Sequence, residues 1–524
     1  MPGTKPGANT HRIEPVDMDG DQLYAHAGFH GRTADELRPK PTESTWTLPK
    51  SGQIIAACEP ALRLLRPLVD YAKTEAAGNK HDLTLLPLAV GEYEGLPPEM
   101  VYGRASRDIR HHEHYTRNSR GDDRLLKSHA QWLTYMTGVD YSPEDILITT
   151  GGIGACQIVI QFLTDPGDEI CFVEPSWPNS KVLAKSYGRK VSTLVLSPED
   201  NFGLPQTSQE WEERVPKTAK VLWLEMPSNP SGFGWRSMQE REVVAEFVAK
   251  RGILLFVDEE YRLLYADQRP KTILSLGAPN VIASSAWDKT LCMTSARLGS
   301  LETADPNIQR LLQPLGNTLL SAPNFMRLQQ HIAAIMYDKT TFGALAYVEG
   351  LAAEIETNRV LTAKVLNGSI GIHMKGNAGF YDPWILPELR SGGAMQALMF
   401  SLVQLAQDER DGKQSEITVF SNAVPWAGFY TDKTAAPEGY RITLGRSKDQ
   451  GLATALHALH AQVSRYIHAG QPYMGTPKEV VTRFLAGEKI EPGAWPGEKR
   501  FHAVGGQSES ESGQGTTVPK VEAS

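Results

Sequence analysis

Cysteine is scarce in this 524-residue chain. The four residues Cys58, Cys156, Cys171 and Cys292 stand far apart and never as C-x-x-C. That spacing argues against a disulfide framework or a structural zinc site, and it suits a reducing compartment. Long apolar runs are missing too, since no stretch approaches the roughly 18 apolar residues that a membrane span needs. The opening Met-Pro-Gly-Thr-Lys-Pro-Gly has no apolar h-region, so export is not expected. A cytoplasmic protein without a membrane partner is the expectation. Positive charge is in deficit, with a formal net charge of −8. No basic field is available to hold a nucleic acid, and small, mostly neutral substrates are expected.

What the chain does have is alternation. Short β-branched runs at Ile146–Thr149, Glu169–Val173, Lys190–Leu196, Lys220–Leu224, Ile253–Asp258 and Val281–Ser284 are separated by longer amphipathic stretches. Apolar runs bounded by Gly, Pro or charge are the pattern of strands buried on both faces, and strands alternating with helices point to a parallel α/β sheet. Residues 1–50 are rich in Pro, Gly, Asp and Thr and read as an arm. In 51–80, Ile55, Leu62, Leu65, Leu68 and Val69 recur at helical spacing and predict one helix over Ile54–Thr74. The sheet-forming part runs over 81–325. A second domain, with long helices and then a mixed αβ segment closed by a helix at Asp449–His468, takes 326–470. The segment 471–524 is read as a polar tail, with the last ~20 residues too polar to offset their own ordering entropy.

The chemistry gathers behind the Val281–Ser284 run. Lys289 follows this strand closely and Arg297 stands eight residues further on. An amine and a guanidinium so placed can take a phosphorylated aldehyde, the first as an imine and the second as a bidentate phosphate pair. A single lysine or arginine is more often a solvated surface charge, so the pair needs company. A glycine loop at Gly151-Gly152-Ile153, opening a helix, offers free backbone N–H groups to a phosphate. Asp258 closes the most apolar strand, a carboxylate at the end of a buried element that a helix cap would also explain. Arg441, in a late Gly-Tyr-Arg-Ile-Thr strand, suits an α-carboxylate.

The segment Lys-Thr-x-x-Met-Thr-x-x-Arg-Leu-Gly from Lys289 to Gly299 closely resembles the cofactor-lysine motif of the class I and II aminotransferases. Further segments match the same family in the same order, over roughly residues 80–465. They are Leu88-Ala89-Val90-Gly91-Glu92, the Thr149–Ala155 glycine loop, Glu174-Pro175-Ser176-Trp177-Pro178-Asn179, Pro227-Ser228-Asn229-Pro230-Ser231-Gly232, Val257-Asp258-Glu259-Glu260-Tyr261 and Gly439–Gly445. The resemblance implies an α/β fold with a mostly parallel, three-layer α/β/α large domain that binds pyridoxal 5′-phosphate. A smaller αβ domain would be built from the C-terminal part and an N-terminal segment. It implies Lys289 as the Schiff-base lysine, Trp177 stacked on the pyridine ring, and Asn229 and Tyr261 on the 3-oxygen. Asp258 would lie on the ring nitrogen, with Gly151, Gly152, Ile153 and Arg297 on the phosphate. Arg441 and Gly91, beside Asn229 and Trp177, would hold an α-amino acid substrate. A homodimer with shared active sites is implied as well, with Tyr115 reaching the phosphate of the neighbouring subunit.

Several positions depart from the family pattern. Ala286 replaces a serine that usually bonds the phosphate, a gap that Thr294 or a further backbone amide would have to fill. Asp288 replaces a small residue directly before the lysine. In the loop His111–Gly121 the spacing from Tyr115 to the glycine is one residue longer than usual, and its histidines, Arg117 and Arg120 are candidates for the distal end of a substrate. Their spacing matches no usual zinc pattern, so no metal is expected. The expected reaction is transamination at Cα of an α-amino acid. Its rival is elimination, replacement, cyclisation or carbon–carbon bond formation in secondary metabolism, with S-adenosylmethionine as one candidate substrate. A transcriptional regulator with a domain of this kind would need a DNA-binding module that residues 1–50 do not supply.

Overall fold

The computed structural model describes residues 49–56, 63, 65–76, 84–89, 91–95, 118–267, 269, 271–319, 327–338, 343–367, 370–446 and 451–496. The strand runs become β2 (Ile146–Thr150), β3 (Glu169–Glu174), β4 (Lys190–Val195), β5 (Ala219–Glu225), β6 (Leu254–Asp258) and β7 (Val281–Ala286), following a short β1 (Thr84–Leu85). A seventh member, β8 (Leu298–Thr303), completes the sheet in the order β2-β8-β7-β6-β5-β3-β4. Only β8 runs against its neighbours.

Alternation along these strands builds three layers. On one face Ile148, Val173, Leu222, Leu255 and Val281 pack with the helices Asp123–Thr137, Met238–Arg251 and Arg327–Tyr337. On the other, Leu147, Phe172, Trp223, Phe256 and Ile282 pack with Gly151–Phe162 and Pro306–Leu319. Register is marked by an aromatic row: Trp223 lies opposite Phe172 and Phe256, with ring centroids 5.1 and 4.1 Å away. Cross-strand pairs of this kind contribute about 0.2–1 kcal/mol each.

A four-stranded sheet follows, in the order β12-β13-β10-β9, from β9 (Ile372–His373), β10 (Tyr381–Ile385), β12 (Val424–Pro425) and β13 (Gly439–Thr443). Phe380, Trp384, Tyr440 and Ile442 bury against Gly343–Leu366, Gly393–Arg410 and Leu452–His468. The short β11 (Val419–Phe420) pairs in parallel with β1.

Two expectations change. The single helix over Ile54–Thr74 is two described helices, Lys50–Ala56 and Arg66–Ala76, with Leu65 in a turn. The tail from 471 contains a helix, Pro477–Leu485, started by a Thr476/Glu479 capping box. Val480 and Phe484, four residues apart, anchor it in a cluster with Leu68 and Leu402.

Candidate active site

Parallel strands with helices on both faces leave a crevice outside their C-terminal ends, and there this sheet is polar. Glu225 ends β5, Asp258 ends β6, and the register sets Glu225 beside Asp258 and Asp258 beside Ser284 of β7. The Ser284 hydroxyl donates to Asp258 Oδ1 at 3.0 Å. Burial, and then the charge of Glu260, push the Asp258 carboxyl up to about 8. A cation placed against it would hold it ionised, which is what a protonated pyridine nitrogen supplies.

Lys289 lies in the short helix Trp287–Thr290 that leaves β7, and its Nζ donates to the Gly91 carbonyl at 3.0 Å. Burial lowers its pKa, but Tyr381, Glu260 and Asp288 together outweigh that, so the net shift is upward. Tyr261 and Tyr381 place their hydroxyls 3.1 Å apart, and burial followed by Tyr381 raises the Tyr261 phenol well above its usual range. Tyr381 also carries the Arg441 guanidinium over its ring, 4.4 Å from the centroid. Arg441 sits mid-strand in β13, between Pro383 of β10 and Val424 of β12. It donates to Asn229 Oδ1 at 2.8 Å and to the Ala89 carbonyl at 2.5 Å. Its buried Nε has no hydrogen-bond partner. A fork held in this way can take a carboxylate.

Asn229 is set by a turn that touches the second sheet. Gly232, at φ +68°, lies so close to the Tyr381 carbonyl that any side chain there would collide, and its own carbonyl accepts from Asn377 and Ala378 at 3.0 and 2.9 Å. Trp177 caps the helix Pro178–Ser186, and its backbone N–H donates to both oxygens of Glu225, at 2.8 and 3.0 Å. Burial, and then Asp258, raise the Glu225 carboxyl well above its ordinary range.

The phosphate end expected from the sequence is the first turn of Gly151–Phe162. Gly151, Gly152 and Ile153 open it, and the Arg297 guanidinium lies against Gly151 so closely that a Cβ there would meet Nη2 at 2.6 Å. Unpartnered N–H groups of a first helical turn, beside a guanidinium, fit a phosphate. Asp288, whose side-chain direction the sequence left open, faces Arg297 Nη1 at 3.0 Å. Burial, then Glu260, push the Asp288 carboxyl up to about 7, against the pull of Lys289 and Arg297. Thr294, a suggested replacement for the hydroxyl missing at Ala286, instead donates to Glu92 Oε2 at 2.8 Å. Arg120 likewise turns from the crevice and pairs with Glu144 at 3.2 Å, just ahead of the N-terminal end of β2. Tyr115, Arg117 and the histidines of that loop lie outside the described residues.

The crevice therefore brings together Lys289, Asp258, Tyr261, Asn229, Arg441, Gly91, Trp177, Arg297 and the glycine turn. Three further neighbours carry no sequence signal of their own. Tyr381 and Glu225 occupy strands without a family motif, and Glu260 lies inside one at a position to which the resemblance assigns no role. No group of three potential metal ligands exists among the described residues, and none of the described helices is long and apolar enough to cross a membrane.

Comparison with known proteins agrees with this architecture. The family model for aminotransferase class I and II matches residues 84–407. An aspartate aminotransferase from Pyrococcus horikoshii is 24% identical over 329 residues, 62% of this chain and 81% of that protein. An LL-diaminopimelate aminotransferase from Methanocaldococcus jannaschii is 26% identical over 237 residues, 44% of this chain and 56% of its own length. Among solved structures, the alanine aminotransferase from Pyrococcus furiosus superposes with a TM-score of 0.64 at 21% identity, over 79% of this chain and 99% of that one. With the family model spanning more than half the sequence, and the sheet order and crevice as described, this chain belongs to the class I and II aminotransferases, a family of pyridoxal-phosphate-dependent transferases.

Proposed function

We propose that the protein is an aminotransferase for an α-amino acid, with pyridoxal 5′-phosphate carried on Lys289. The observation that carries this reading is the convergence, in one buried crevice, of the Lys289 amine, the Asp258 carboxyl and an Arg441 fork already braced by Asn229 at 2.8 Å. When bound, the cofactor supplies a pyridine ring that accepts the electrons of a bond broken at Cα. Asp258 would keep the ring nitrogen protonated, while Asn229 and Tyr261 would hold the 3-oxygen. Trp177 would cover the ring face, and Arg297 with Gly151, Gly152 and Ile153 would take the phosphate. Arg441, with Gly91 behind it, fixes the substrate carboxylate, so that the Cα proton meets Lys289 Nζ in a set orientation. Lys289 is the base that removes this proton. The named relatives act as aminotransferases, which favours transamination over the eliminating or bond-forming rival.

The test is a half-reaction. Protein loaded with pyridoxal phosphate and given an amino acid without an acceptor should yield stoichiometric pyridoxamine phosphate and the 2-oxo acid. Borohydride reduction beforehand should fix the cofactor on Lys289. Label on another lysine, or full return of pyridoxal phosphate after many turnovers, would refute the reading. The working form is proposed to be a homodimer, Tyr115 reaching the phosphate bound by a second copy. A solution mass equal to one chain, at a concentration where cofactor stays bound, would contradict it.

A further inference from the structure

Glu260 is out of keeping with the phosphate end of the crevice. Its Oε1 lies so near Gly152, in the first turn of Gly151–Phe162, that any Cβ on Gly152 would overlap it. A carboxyl therefore stands beside the N–H groups that a phosphate would use. Glu260 also lines a small cavity with Ala286, Ser285 and Thr290. Ala286 presents a methyl where the family resemblance implies a phosphate-binding hydroxyl, and Thr294 cannot replace it because its own hydroxyl is held by Glu92. An ionised carboxylate in this place would repel a phosphate dianion. A neutral carboxyl has an O–H to donate.

Charged and titratable groups reach Glu260 from every side. Asp258 and Tyr261 come from the end of β6, Asp288 and Lys289 from the lysine turn, Arg297 from its loop, Cys156 from the helix and Glu225 from β5. His129, Arg262, Glu259 and Tyr337 are the other titratable or charged groups on the cavity wall. Burial raises the Glu260 pKa, and Lys289 and Arg297 oppose that rise without cancelling it. A phosphate in the turn would take up the favourable field of those two cations and add negative charge of its own.

We propose that Glu260 in its neutral form donates its O–H to the cofactor phosphate, in place of the hydroxyl that Ala286 lacks, and that phosphate binding is thereby coupled to uptake of a proton from solvent. The proposal rests on the reading of this crevice as a pyridoxal-phosphate site. Pyridoxamine phosphate is the probe, because it makes no imine with Lys289 and so removes that amine's bond formation from the measurement. Its affinity is measured by calorimetry from pH 7 to 9 for the native protein and for Glu260→Gln, whose amide keeps an N–H donor without titrating.

Affinity for the native protein should fall with pH more steeply than for Glu260→Gln, by up to about tenfold per pH unit. Comparison of buffers with different ionisation enthalpies should show the native protein taking up more protons than the variant at the same pH. Asp258, Asp288 and the probe itself titrate in both proteins, and because Asp258 and Asp288 owe part of their shift to Glu260, their titrations are followed separately in each cofactor-free protein and subtracted before the two are compared. Glu260→Ala is the second variant, and it too should lose the extra slope. Parallel slopes and equal proton uptake would overturn the assignment to Glu260. Failure of the native protein and both variants to bind the probe would overturn the cofactor reading itself, and the proposal with it.

Discussion

Asp258 shows how burial and function compete within one residue. Left to itself at the end of β6, its carboxyl is driven up to about 8 by burial and by Glu260; opposite a pyridinium, the same burial strengthens the pairing because water no longer screens it. Asp258→Ala should therefore fold but lose turnover. Removal of one partner from a buried charge pair costs about 3–5 kcal/mol, which converts to roughly two to four orders of magnitude in rate. Steady-state kcat, with circular dichroism to confirm the fold, checks this, and turnover near that of the native protein would remove Asp258 from its proposed role. Residues such as Lys289, Asp258 and Asn229 were legible because each stands in an ordered string of short motifs. Tyr381 was not, although it meets Tyr261 at 3.1 Å and underlies Arg441. Its neighbours in space come from the turn after β6 and from β13, far away in sequence, and no local spacing announces that. Glu225 was hidden for a similar reason, since its partner is a backbone N–H of Trp177.

At the scale of elements, strands with an apolar run were readable to within a residue or two, as β6 at Leu254–Asp258 and β3 at Glu169–Glu174 illustrate. Within the seven-stranded sheet the strand that periodicity does not reveal is β8, whose Ser300, Glu302 and Thr303 are polar and yet wholly buried. Such residues can sit inside only because their partners are inside as well. Glu302 takes His129 at 2.6 Å and Ser285 at 3.0 Å and also pairs with Arg262. Burial by itself would raise the Glu302 pKa, but Arg262 and His129 outweigh it and hold the carboxyl well below its ordinary range. These partners come from three different elements, so periodicity along β8 could not reveal a buried strand. The helix Pro477–Leu485 escaped because only Val480 and Phe484 anchor it, in a segment that otherwise looks polar.

For the whole molecule, these carboxyls set the direction in which pH moves stability. Asp258 and Asp288 are pushed up to about 8 and about 7, chiefly by burial, and Glu225, Glu259 and Glu260 move in the same direction. In an unfolded chain such groups titrate near pH 4. Between that pH and their native values the folded protein binds more protons than the unfolded one, so its stability must fall as pH rises through the window. Glu302 acts in the opposite sense: its pKa is depressed in the fold, so its contribution is present above the unfolded value and is lost as pH falls through its native one. The cofactor-free protein should consequently be most stable near pH 4 and should lose on the order of a few kcal/mol by pH 8. The losses will not add, because Asp258 and Asp288 both owe part of their shift to Glu260. Urea midpoints measured from pH 4 to 9 on protein stripped of cofactor test this, with a constant slope m confirming that the same surface unfolds throughout. A midpoint that climbs from pH 5 to 8 would mean that these carboxyls are ionised and well paired in the fold.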